Sequence, residues 1–254
     1  MLEQYIRERR RDKDVLLMTH IVIGYPDFEE SMKTVEAMVE AGVDLMELQI
    51  PFSEPIADGP VILHANQKAL AGGSTVQKCL DFAAEAATRF DIPFLIMTYY
   101  NILFRHGTTR FVQRMADIGL KGAIVPDLPP EEANEYLSAM SGAGLAPVFI
   151  YSPNTTDERM QYIAEHASGL IYCVARKGVT GAETEFSRDL DDYLARCRSA
   201  TDLPLAVGFG VKDRDDVGHL IDKADIAVVG TQSIRVYDAQ GTEGVGRFVA
   251  ALRE

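Results

Sequence analysis

Short apolar runs alternate with amphipathic segments from one end of the chain to the other, and no other feature limits the possible folds as strongly. The runs cover residues 15–23, 43–48, 93–98, 122–125, 146–150, 169–174, 204–207 and 226–229. Apolar stretches this short read as strands buried on both faces, and their regular separation by helical patterns is the βαβα signature of a parallel sheet. The intervening helices have recognisable ends. Asp27 with Glu30 resembles a capping box, and Met32, Val35, Met38 and Val39 then form a stripe that stops at Gly42. Thr108 opens another helix, with Phe111, Met115 and Ile118 on one face and Gly119 at its end. Similar faces run through Val76, Leu80, Ala83 and Ala87, through Ala133, Leu137 and Met140, and through Val217, Leu220 and Ile221.

Eight strand-like runs in 254 residues suit a single-domain (β/α)8, or TIM, barrel spanning residues 1–254, with an N-terminal helix and extended loops after strands 2 and 6. An open doubly wound sheet reads much the same locally, and the count of eight favours closure. No Pro/Ser-rich linker divides the series. A hydrophobic content of 47% suffices for a sizeable core. The formal net charge of −13 argues against nucleic acid or anionic membrane as the main partner, so an anionic ligand has to be held locally. Cys79, Cys173 and Cys197 are widely spaced, without a CxxC pair, and read as reduced core thiols. The N-terminal MLEQYIRERRRDKD has no apolar signal core and no run approaches the length of a membrane helix, which points to a cytoplasmic protein.

In such folds function gathers at the carboxyl ends of the strands. The stretch ELQIPFSEPIADGP places Glu47 at one such end and Asp58 just beyond it. Alternation puts Val43, Leu45 and Glu47 on one face, aimed at the barrel axis. Burial there disfavours the ionised form of a carboxyl group and readies it for proton exchange near neutral pH, although a solvated or Lys-paired glutamate would read alike. The excursion from residue 49 to about 73 is longer than most βα loops. Glycines follow the last three strands, in RKGVTGAE, GFG and VVGTQS, and let backbone amides approach a phosphate, with a short extra helix at 233–237 to complete the site. The remaining histidines, His64, His106, His166 and His219, lack metal-ligand spacing, and the acidic clusters at 189–192 and 213–216 mark helix N-termini or solvated faces.

GYPD at 24–27, ELQIPFSEPIADGP, TYYN at 98–101, PDLPPEE at 126–132, RKGVTGA at 176–182, GFG and GTQS together resemble the α subunits of tryptophan synthase nearly end to end. The resemblance implies cleavage of indole-3-glycerol phosphate to indole and glyceraldehyde 3-phosphate, with indole passed to a β subunit that carries pyridoxal phosphate. It implies no cofactor or metal in this chain and an αββα assembly. By the family pattern Glu47 is the proton shuttle, and Asp58 accepts the indole N–H. Thr180 holds that aspartate from a lid, Tyr172 lies near the glutamate, and Ile62, Tyr99 and Phe209 wall the indole. Gly181, Gly210, Gly230 and Thr231 bind the phosphate. The chain departs from the pattern at Gln49, where glycine is usual, at Glu54 in the segment that meets the β subunit, at Lys177 in the lid, at Gln232, and at His20, where an aromatic residue often lines the indole site. A barrel acting mainly as β-subunit activator, a standalone lyase, and an aldolase or epimerase acting on a sugar phosphate are the rival readings. The last would want a Schiff-base lysine or a metal set, and neither is evident.

Overall fold

The computed structural model describes residues 1–175, 188–208 and 210–253. Its strands are β1 (Leu16–Val22), β2 (Leu45–Gln49), β3 (Phe94–Met97), β4 (Gly122–Ile124), β5 (Ala146–Tyr151), β6 (Ile171–Val174), β7 (Leu205–Gly208) and β8 (Ile226–Val229). All neighbours pair in parallel and β8 returns to β1, so the sheet is a closed barrel in chain order. Each strand falls within two residues of its apolar run, because strands buried on both faces leave a near-continuous apolar trace.

The helices are α1 (Leu2–Arg9), α2 (Phe28–Glu40), α3 (Pro60–Ala71), α4 (Val76–Arg89), α5 (Tyr100–His106), α6 (Thr108–Asp117), α7 (Asn134–Ala143), α8 (Asp157–Ala164), α9 (Arg188–Ala200), α10 (Arg214–His219) and α11 (Thr231–Ala251). Three expectations change here. The long excursion after β2 is loop only as far as Gly59, since Pro60 occupies the first helical turn and Ile62, Ala65, Asn66 and Ala69 form a buried stripe at helical spacing. The extra helix expected at 233–237 begins at Thr231 and is the first part of α11, which breaks at Gly241 with φ 66°. The Asp27 side chain does accept from the Glu30 amide at 2.9 Å, but the Glu30 carboxylate turns to Lys33 and Tyr237, so only half of the capping box forms.

Two apolar layers result. Outside, helix faces pack on outward residues such as Leu17, Ile21, Met46, Leu48 and Ile96. Inside, Leu16, Met18, Leu45, Leu95, Ile124, Val148, Ala206, Ile226 and Val228 fill the barrel. Apart from Ala206, each such side chain taken from water contributes roughly 1.5–3 kcal/mol, which gives the closed sheet its main support. Val43 does not share the inner face with Leu45, since β2 starts after it and Val43 packs in the outer layer. Ile221, expected on a buried face, is 39% exposed just past the end of α10. The amino-terminal mouth is plugged by Leu2 and Ile6 of α1. Beside it the buried Asp44 carboxylate accepts from the Leu17 amide and pairs with Lys13, Arg9 and Arg253. That leaves the other mouth, at the carboxyl ends, as the open one. All three cysteines are buried and unbridged.

Candidate functional site

Alternation along β2 carries Leu45, Glu47 and Gln49 to the barrel interior, so the apolar filling gives way to polar groups toward the carboxyl end. The parallel register sets His20 of β1 opposite Glu47. His20 Nδ1 lies 3.1 Å from Glu47 Oε1, and both residues are buried, at 3% and 4% exposure. Asp58, half-buried in the loop after β2, is held from two sides: Gln49 Nε2 donates to its Oδ2 at 2.6 Å and the Tyr99 hydroxyl donates to the same oxygen at 3.1 Å. The Tyr99 oxygen in turn accepts from the Ala57 amide, and its ring stacks on Phe52 at 5.2 Å between centroids. Asn66 of α3 accepts from the Phe52 amide, which ties the loop to the helix behind it. Both carboxylates thus sit on supports fixed by packing.

The cavity they face has two ends. Ala57, Ile62, Met97, Ile124, Pro126, Ile150, Tyr172, Val174 and Val228 give it apolar walls around His20, Glu47 and Asp58. The other end is formed by Gly208, Gly210, Lys212, Gly230, Thr231, Gln232 and Arg235. Gly208 is required by close approach, because a β-carbon there would lie 2.8 Å from the Tyr172 hydroxyl. Gly210 has φ +94°, a conformation that side chains rarely adopt. Gly230 precedes α11 and supplies no side-chain cap, so the uncapped start of a helix lies at this end of the cavity together with two basic side chains. Such an end suits an anion.

The electrostatics match this division. Burial opposes protonation of His20, but the facing Glu47 carboxylate, with Asp58 and Gln49, outweighs it, and the imidazole pKa is raised. Burial raises the Asp58 pKa, and the opposing contributions of Gln49, His20 and Tyr99 reduce this without cancelling it. Burial, aided by Glu47 and Asp58, pushes the Tyr172 phenol well up, so it stays a neutral donor.

The structure therefore brings together Glu47, Asp58, Ile62, Tyr172, Gly210, Gly230 and Thr231 around one cavity. Tyr99 is not in its lining; the ring lies behind Asp58, 1% exposed, and acts through its hydroxyl. Thr180, Gly181, Phe209 and Lys177 lie outside the described residues. Sequence reasoning treated His20 and Gln49 as departures and did not find their bonds to the carboxylates. Their period-2 places on β1 and β2, in line with Met18 and Glu47, did mark both as inward-facing, though not which atoms they meet. Glu54 is exposed on the loop after β2. Among the described residues no group of three or more His, Cys, Asp or Glu side chains could hold a metal ion.

A sequence model described as tryptophan synthase alpha chain matches residues 6–250. The tryptophan synthase alpha chain of Desulforapulum autotrophicum is 67% identical over 252 residues, covering 99% of this chain and 100% of the relative. That of Syntrophotalea carbinolica is 65% identical over 253 residues, with both chains covered completely. Among solved structures, a chain of Mycobacterium tuberculosis tryptophan synthase superposes with a TM-score of 0.93 at 30% identity, covering 99% of this chain and 96% of the other.

Proposed function

Because the chain belongs to the tryptophan synthase alpha chain family, we propose that Glu47 and Asp58 are the acid–base pair of its carbon–carbon lyase reaction. The reaction cleaves indole-3-glycerol phosphate to indole and glyceraldehyde 3-phosphate. The observation that carries the assignment is the two-ended cavity: two anchored carboxylates among apolar walls at one end, and glycine backbone with an uncapped helix start at the other. An indole ring fits the first and a phosphate the second.

Cleavage needs a proton on indole C3, which turns the ring into an iminium able to take up the electron pair of the breaking bond to the glycerol carbon. It also needs the proton of the hydroxyl on that carbon removed, so that the oxygen closes to an aldehyde. Glu47, on the barrel axis, delivers the first and accepts the second, and the proton balance is zero over the cycle. Asp58 accepts the indole N–H and stabilises positive charge on the nitrogen as it develops. Ile62 and Tyr172 contact the ring, while Gly210, Gly230 and Thr231, with Lys212 and Arg235 nearby, receive the phosphate. The parts of Thr180, Gly181 and Phe209 rest on the family pattern alone.

The family implies a β-subunit partner. We propose an αββα assembly in which the partner carries pyridoxal phosphate and takes up the indole in the cytoplasm. Ile56 and Phe104, 72% and 68% exposed, follow the carboxyl ends of the neighbouring strands β2 and β3 and supply apolar surface for such docking. No described helix is long and apolar enough to cross a membrane.

The test is indole release from indole-3-glycerol phosphate by the purified chain, alone and with a β subunit. Glu47→Gln and Asp58→Asn are each expected to lower kcat by about 10²–10⁴-fold, the range of general acid–base catalysis. Release by Glu47→Gln at the parent rate would remove Glu47 from the mechanism. Slow release that rises with the partner supports the coupled assembly, whereas fast release alone supports a standalone lyase.

A further inference from the structure

We propose that His20 is a positioning residue for this reaction, holding one oxygen of Glu47 and, through Gln49, joining Glu47 and Asp58 into one buried hydrogen-bonded chain. The inference rests on the assignment of Glu47 and Asp58 as the reacting carboxylates.

Asp58 accepts from Gln49 Nε2 at 2.6 Å, which fixes the orientation of the Gln49 amide, since the reverse would set its carbonyl oxygen against a carboxylate. Gln49 Oε1 is then left buried, and among the described residues it has no hydrogen-bond partner. His20 Nε2 is in the same condition. The register puts Gln49 two residues beyond Glu47 on the same face of β2, diagonal to His20 on β1. A neutral ring donating from Nδ1–H would leave Nε2 as a second buried lone acceptor beside Gln49 Oε1, which is unfavourable, whereas an imidazolium suits both neighbours: Nδ1–H donates to Glu47 Oε1 and Nε2–H becomes a donor available to the Gln49 carbonyl. The nearness of the Gln49 side chain does favour the protonated ring. One Glu47 oxygen is thereby fixed by the imidazole, and the Tyr172 hydroxyl leans on the same carboxylate from β6. A carboxylate braced in this way holds its reacting geometry constant, which is what a shuttle between two atoms of one substrate needs.

The charged and titratable groups facing His20 are Glu47 on β2, Asp58 in the following loop, Tyr172 on β6, and Lys212 and Arg235 across the cavity, with Tyr25 and Tyr237 on its outer side. The Glu47 carboxylate stands closest, at 3.1 Å, so a charge on His20 bears directly on the site and on the acidic limb of a rate profile.

The experiment measures kcat, KM and the pH profile of kcat/KM for the full chain with a β subunit present, in His20→Phe, His20→Asn and Glu47→Gln. Phenylalanine keeps an aromatic shape without donors, whereas the asparagine amide can stand in for Nδ1–H without carrying charge. His20→Phe is expected to lower kcat by about 10–100-fold with KM within about threefold, and to move the acidic limb upward by about one pH unit. His20→Asn is expected to recover kcat to within about fivefold while the limb stays displaced. His20→Phe with the parent kcat and limb would overturn the proposal, as would His20→Asn matching His20→Phe, which would show packing alone. If His20→Phe does not fold, the limb position in His20→Asn decides, a parental limb overturning the proposal. An active Glu47→Gln would instead overturn the reading beneath it, and an inactive Glu47→Gln with unaffected His20 variants would overturn this inference only.

Discussion

At the scale of residues, the open mouth of the barrel concentrates groups that a core normally excludes. His20, Glu47 and Gln49 are all at least nine-tenths buried, and each is tolerated because a neighbouring polar group compensates at least part of its desolvation. The proton balance of this cluster makes stability depend on pH with a definite sign. The folded His20 pKa lies above its ordinary value of 6.5, so the stability it contributes is complete below that pH and is lost as pH rises through the raised value. Asp58 is also raised, above 3.8, so its contribution likewise belongs to the acid side and falls as the carboxyl ionises in the folded state. The expected outcome is a thermal midpoint that declines as pH passes upward from 6.5, and a flatter curve for His20→Phe; calorimetry across that range checks it. An unchanged slope in the variant would assign the pH dependence to other groups.

At the scale of elements, helix α2 shows how much local chemistry contributes. Asp27→Ala removes the side chain that accepts from the Glu30 amide, and is expected to cost about 1 kcal/mol and about 2–4 °C in the melting midpoint without changing kcat. The eight strands were legible because both their faces are buried, which leaves apolar runs that loops and amphipathic helices do not imitate. Helix α3 was harder to see. Its buried face is built from Ile62, Ala65, Asn66 and Ala69, small or polar apart from the isoleucine, so its signal was weak beside the prolines that precede it. Glu47 and Asp58 could be read from strand ends and family pattern. The bond from Gln49 to Asp58 could not, because it depends on how the loop folds back over β2, which periodicity does not encode. Tyr99 misled for a related reason: an aromatic residue after a strand end reads as cavity wall, whereas Phe52 covers its ring and only the hydroxyl acts on the site.

At the scale of the whole molecule, the two mouths of the barrel carry separate tasks. Leu2 and Ile6 of α1 close the amino-terminal mouth against Leu16, Leu45 and Leu95, with the Asp44 ion cluster beside them. Ile6→Ala is expected to cost about 2–5 kcal/mol, seen as a lower urea midpoint with an unchanged m-value, because it leaves a cavity in that plug. Indole release per folded molecule should stay within twofold of the parent. A proportionate loss of kcat would show that the two ends are coupled through the barrel core. Distant sites without shared partners usually act independently, and the apolar layers between the mouths provide that separation here.

The unpartnered atoms at the open mouth have a further meaning in evolution. An apolar side chain in place of His20 or Gln49 would give up the bond to Glu47 or Asp58, but would also remove a buried polar atom, His20 Nε2 or Gln49 Oε1, that has no hydrogen-bond partner among the described residues. Selection for heat resistance alone would therefore find its easiest gains in the residues that brace the carboxylates, and would trade turnover for robustness. A lineage that keeps both residues is one in which catalysis, and not endurance, has set the terms.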